Sequence, residues 1–265
     1  MRQLYTKFLF KDIERMYNLD MINVLYTTCA GLFILLGTLI VLFTNNNSKV
    51  MTFSLSCALG SVAALIIGEL IPESYENLSF GYTPFYTIIL MIVFSAIGFL
   101  IIKFLDNLVP SHDGHSSSHY YHIGLMTSLA LILHNIIEGM AIYISFKTSF
   151  TLGLMVALGV SQHNIPMGME IGSMFHKYYN NNLKVSLISF IVSVSTGIGA
   201  LFVYFVGTDL DNFTLGLLLC VTLGMLTYLV FIELIPHLRE IRNKKLIFTG
   251  IFVGVILFIL SRFLE

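Results

Sequence analysis

His134-Asn135-Ile136-Ile137-Glu138-Gly139-Met140 returns 29 positions later as His163-Asn164-Ile165-Pro166-Met167-Gly168-Met169, identical at five of seven positions. Each copy lies near the middle of an apolar run long enough to cross a bilayer. An ionisable side chain there costs at least about 2.5–3.5 kcal/mol on insertion scales. His134, Glu138, His163 and Glu170 therefore need partners, and a bound cation is one. In a helix, positions 134 and 138 share a face, as do 163, 167 and 170. A hairpin turning near residues 147–150 brings those faces together, so that two imidazoles and a carboxylate converge on one ion. Asn135 and Asn164 stand one position on, about 100° around each helix, facing a neighbouring helix or a second ion. Imidazole with carboxylate suits zinc and other first-row divalent metals better than magnesium or calcium. The competing reading is a histidine–carboxylate network that only pins helices together; duplication of the cluster favours the ion.

The rest of the chain fits this setting. Of 265 residues, 56% are hydrophobic and 11% charged, against about 25% charged in a soluble domain, and the mean hydropathy is +0.85. Eight apolar runs of about 20 residues, enough for a ~30 Å hydrocarbon core, cover approximately residues 21–43, 51–71, 84–105, 123–146, 151–175, 185–206, 213–235 and 246–264. The expectation is an all-α polytopic membrane protein with its apolar side chains against the lipid bilayer. A formal net charge of -1 argues against nucleic acid, which needs many phosphate-neutralising cations. Cys29, Cys57 and Cys220 lie inside apolar runs at no metal-ligand spacing and read as packing residues. The eight-helix domain covers residues 21–265, with one segment before it and one polar loop within it. Residues 1–20 interleave Arg2, Lys7, Lys11 and Arg15 with Leu4, Phe8, Phe10 and Ile13, the pattern of an amphipathic interfacial helix. Residues 106–122 read as a histidine-rich loop carrying His112, His115, His119 and His122, a candidate metal collector.

A second repeat joins spans two and seven: Glu69-Leu70-Ile71-Pro72 and Glu233-Leu234-Ile235-Pro236. Spans two and seven cross in opposite directions, as do four and five, so both repeats point to an inverted pseudo-symmetry, with the substrate site near the midplane. Glu69 and Glu233 become candidates for the two ends of a path, or interfacial carboxylates beside prolines that end their helices. Lys and Arg in the loops after spans one, three, five and seven outnumber those on the opposite face by 8 to 6. Discounting the N-terminal segment, the ratio is 8 to 2. That bias puts the histidine-rich loop in the cytoplasm and both termini outside.

On these motifs the chain resembles the Zrt/Irt-like protein (ZIP) family of divalent metal transporters over essentially its whole length. The resemblance implies eight transmembrane helices arranged three, two and three, with ligands in His-Asn-x-Pro-Glu-Gly motifs on helices four and five. It also implies a divalent ion moving into the cytoplasm and a mobile helix pair. Here His134, Asn135, Glu138 and Gly139 match on the fourth helix, and His163, Asn164, Pro166 and Gly168 on the fifth. Three positions depart from the pattern. Ile137 replaces a proline, Met167 replaces the glutamate that bridges two ions, and Thr196 stands where the sixth helix of many members carries a glutamate. The first metal position keeps His134, Glu138 and His163, with Met167 as a soft fourth donor; the second keeps only neutral Asn135 and Asn164. One midplane ion is expected, with Glu170 receiving it on the way out.

The leading expectation is a secondary transporter of zinc, with iron or manganese as relatives, in the plasma membrane and without ATP, since no phosphate-binding glycine loop occurs. Imidazoles must be neutral to bind metal, so transport should weaken in acid. Two other classes fit the same donors: an intramembrane zinc hydrolase, and a metal-binding membrane protein that has lost transport. The family often forms homodimers, although no residue here requires one.

Overall fold

The computed structural model describes residues 20–44, 48–109, 116–207 and 211–263. The N-terminal segment before Asp20, Asn45 to Asn47, His112, His115 and Asp209 lie outside them. Among the described residues, eight long helices and no strands occur: α1 Asp20–Phe43, α2 Ser48–Ser79, α3 Pro84–Leu108, α4 Ser116–Thr148, α5 Phe150–Tyr179, α6 Asn182–Val206, α7 Asn212–Glu240 and α8 Lys244–Arg262. The chain is thus all-α and polytopic. Seven of the eight are long and apolar enough to cross a membrane. The exception is α5, because Gln162, His163, Asn164, Glu170, His176 and Lys177 lower its hydropathy. Beyond its first turns, where Phe150, Leu152, Leu154 and Leu158 are exposed, it packs against α1, α2, α4, α6 and α8. The opposite extreme is α3, with 11% of its most apolar window buried and Phe85, Ile92, Leu100 and Phe104 on the outside; such a face is stable only against hydrocarbon.

Local chemistry sets the helix ends. Ser149 alone separates α4 from α5, and its hydroxyl caps α5 by accepting from the Leu152 N–H at 3.1 Å. Asn180 and Gly207 close α5 and α6 in the left-handed region, at φ 45° and 64°. Asp211 accepts from the Thr214 N–H at 3.1 Å to open α7, and these hydrogen bonds hold its carboxyl below the usual range.

Two expectations need correction. Pro72 and Pro236 do not end their helices: α2 continues to Ser79 and α7 to Glu240. Proline has no N–H for the carbonyl one turn back, and its ring pushes that carbonyl away. Both helices absorb this with a π turn just before the proline, Ile66–Leu70 in α2 and Leu229–Leu234 in α7. The segment 106–122 is also not all loop: α3 runs to Leu108, and α4 starts at Ser116, so His119 and His122 are helical. Cys57 and Cys220 are buried, but Cys29 is exposed.

The inverted pseudo-symmetry is visible in how the helices touch. A Cβ on Gly37 would meet the Ile165 carbonyl oxygen, and one on Gly168 that of Ile34, so α1 and α5 cross at reciprocal glycines. Gly139 faces the Thr196 carbonyl and Gly199 that of Ile136, joining α4 to α6 in the same way. Gly98 with Gly224 joins α3 to α7, and Gly60 with Gly254 joins α2 to α8. Exchanging α1 with α6, α2 with α7, α3 with α8 and α4 with α5 maps this set of four crossings onto itself. Only small residues let backbones approach so closely.

Candidate metal centre

The single-residue connection between α4 and α5 puts the two His-Asn copies side by side. Glu138 Oε1 accepts from His163 Nε2 at 2.9 Å and lies 3.4 Å from His134 Nε2. The two rings are 6.5 Å apart at their centroids. All three side chains are buried, and their donor atoms lie within 4.8 Å of one another. Ligands ~2.0–2.1 Å from a tetrahedral zinc sit roughly 3.3 Å apart, so this cluster is already near the size a metal requires. His134 Nε2 and Glu138 Oε2 are buried without a hydrogen-bond partner, a costly arrangement in hydrocarbon that a cation would relieve.

The other expected site residues are arranged differently. Met167 is fully buried one turn beyond His163 on the same face and belongs to the main apolar core. Asn135 donates its amide to the Val192 carbonyl of α6 at 3.4 Å, and Asn164 to the Ala30 carbonyl of α1 at 3.3 Å. These contacts are related by the same helix exchange, and of the two directions left open for the asparagines, each takes the neighbouring helix. Both amide oxygens and the Thr196 hydroxyl are buried without a hydrogen-bond partner, so the second position offers only neutral oxygens. Glu170 does not join the three-residue cluster. It is fully buried and accepts from the Thr127 hydroxyl of α4 at 2.7 Å.

A cavity of about 70 Å³ reaches the cluster from one end of the bundle, lined by Glu69 and Glu73 at its mouth and by His134, Ile137 and Glu138 at its floor. At the opposite end, Asp106 of α3, His122 of α4 and Glu233 of α7 form a second group of metal-type donors. His122 Nε2 is 2.7 Å from Asp106 and 3.8 Å from Glu233, and the Tyr228 hydroxyl donates to Asp106 at 2.5 Å. Beside it, the rings of His119 and His237 share a hydrogen bond at 3.2 Å. Sequence reasoning missed this second trio because it assigned Asp106 and His122 to a flexible loop. The available signal was the apolar residues Ile123 and Met126, which with Tyr120 and Tyr121 extend the helix of span four upstream. Glu69 and Glu233 thus line opposite ends of the bundle, each on a π turn.

The model of the ZIP zinc transporter family matches residues 110–262, more than half of the chain. Curated relatives extend the likeness to almost the whole length. The zinc transporter ZupT of Chlorobium luteolum is 31% identical over 253 residues, covering 89% of this chain and 95% of that protein. The ZupT of Chlorobium chlorochromatii is 27% identical over 252 residues, and that of Streptococcus mutans 26% over 248, each covering 89% of this chain and 94% of the relative. A doubled His-Asn motif, an inverted set of eight helices and matches of this extent lead to one conclusion: the chain belongs to the ZIP zinc transporter family.

Proposed function

We propose that this protein is a secondary transporter that carries zinc and related divalent transition-metal ions toward the cytoplasm through one midplane site. The observation that carries the proposal is the convergence of His134, Glu138 and His163 at ligand spacing around one buried carboxylate. An ion attracted by Glu69 and Glu73 descends the cavity, exchanges water for these three donors, and leaves past Glu170 toward Asp106, His122 and Glu233. Met167 is positioned along the helix to serve as a soft fourth donor. With one carboxylate and two neutral imidazoles, the site leaves a divalent ion with net charge +1, which favours release over tight storage. The second position, built from Asn135, Asn164 and Thr196, lacks an anionic or imidazole donor and holds water or nothing.

The exposed apolar belt supports an integral membrane location, and the Lys and Arg bias supports a cytoplasmic Asp106–His122–Glu233 end with both termini outside. The ZIP family consists of transporters, so a hydrolytic use of the same donors is set aside. Zinc uptake into proteoliposomes tests the proposal. Flux by the wild type that His134→Ala abolishes supports it. Bound zinc without flux in the wild type would instead assign the chain to metal binding alone.

A further inference from the structure

One cation of the protein itself lies beside two carboxylates that line the cavity. Arg262, at the end of α8, places Nη1 3.7 Å from Glu69 Oε2 and 3.8 Å from Glu73 Oε1. Those two carboxylates are four residues apart on α2, hence on one face, and both line the cavity whose floor is His134 and Glu138. The placement follows from the fold. The Gly60 and Gly254 crossing locks α2 and α8 together, and from it both helices climb by similar lengths to Glu69 and to Arg262. Glu69 lies in the π turn before Pro72. The Glu69 side chain is 13% exposed, whereas those of Arg262 and Glu73 are 39% and 42% exposed, so the guanidinium lies level with Glu73 and on the solvent side of Glu69.

We infer that Arg262 is a specificity-determining residue of the ion path: its guanidinium neutralises the Glu69 and Glu73 carboxylates at the cavity mouth, and an incoming ion must compete with it for them. A divalent ion can satisfy both carboxylates at once and win this exchange. A monovalent ion carries no more charge than the guanidinium, which the chain already holds beside both carboxylates, so it loses. Arg262 therefore raises the concentration at which zinc enters and keeps abundant monovalent cations from crowding the mouth. This inference rests on the transport reading but is separable from it, because occupancy of the mouth can be read by binding as well as by flux.

The test compares wild type, Arg262→Gln and Arg262→Lys in zinc uptake by proteoliposomes and in zinc titration of the detergent-solubilised protein. Arg262→Gln is expected to lower KM for zinc about two- to fivefold, the range set by a half-exposed ion pair, with kcat within about twofold. Added sodium at 0.3 M is expected to inhibit the variant more than the wild type. Arg262→Lys keeps the charge on a differently shaped side chain, so it should fall between the two, and it also covers the case in which Arg262→Gln does not fold. In a Glu69→Gln, Glu73→Gln background, removing the arginine should no longer lower KM. An unchanged or raised KM, or an equal fall in that background, overturns the inference. Absence of wild-type flux would instead sink the transport reading, and the titration, with the same expected ordering of apparent affinities, would still decide the role of Arg262.

Discussion

Glu138→Gln separates a metal site from a helix-pinning network. In the ion-free protein, glutamine keeps the volume of Glu138 and an acceptor oxygen for His163 Nε2, 2.9 Å away. The change from a charge-assisted to a neutral hydrogen bond costs only about 1 kcal/mol. For a bound ion the loss is larger, because Glu138 is the only carboxylate of the cluster. Removing an outer-shell partner of a metal ligand already costs 10–100-fold in affinity, so losing the anionic ligand itself should cost at least about a hundredfold, ~2.7 kcal/mol. Zinc at a thousand times its Kd stabilises a protein by about 4.1 kcal/mol, and after a hundredfold loss the same zinc stabilises by about 1.4 kcal/mol. At roughly 2–4 °C per kcal/mol for a chain of this size, the zinc-induced rise in Tm should shrink by about 5–11 °C. The metal-free Tm should move by only about 2–4 °C. Thermal unfolding in detergent, with and without zinc, reads both quantities. An undiminished zinc effect, or a metal-free Tm that falls more than the zinc effect does, would refute the reasoning and favour a structural network.

Three further outcomes are expected. Met167→Glu, which adds a carboxylate one turn from His163, should raise zinc affinity in a competition titration and raise the bound stoichiometry above one. Gly199→Val drives side-chain atoms into the Ile136 carbonyl at the α4–α6 crossing; it should cost about 1–3 kcal/mol, seen as a lower Tm, and should weaken zinc binding because Ile136 lies between His134 and Glu138. Acid should reduce zinc affinity reversibly, since a protonated imidazole cannot bind metal. In His134→Ala the residual binding should depend less on pH.

The paired motifs made the eight helices, the inverted repeat and the three converging donors legible in the sequence, because helical spacing fixes which residues share a face and a short connection fixes which faces meet. The run at 151–175 was legible although α5 is the most polar of the eight; its burial comes from packing against neighbouring helices. The prolines of the Glu-Leu-Ile-Pro repeats suggested helix ends, yet a π turn lets each helix absorb a proline, and no spacing rule distinguishes these outcomes. Histidines 119 and 122 looked like loop residues because of the serines before them, although Tyr120 and Tyr121 continue the apolar pattern upstream and the helix packs there against α3 and α7. The partners of Asn135 and Asn164 were open for a different reason. An amide one position off the ion-facing stripe can serve a second ion or a backbone carbonyl, and the choice depends on how closely α6 and α1 approach.

The most direct measurement is the structure of the zinc-soaked protein with anomalous scattering recorded at the zinc edge. The account predicts one midplane peak, within about 2.0–2.2 Å of His134 Nε2, His163 Nε2 and a Glu138 carboxylate oxygen. A pair of midplane peaks sharing Asn135 and Asn164, or a zinc-saturated protein with no peak between His134 and His163, would contradict it.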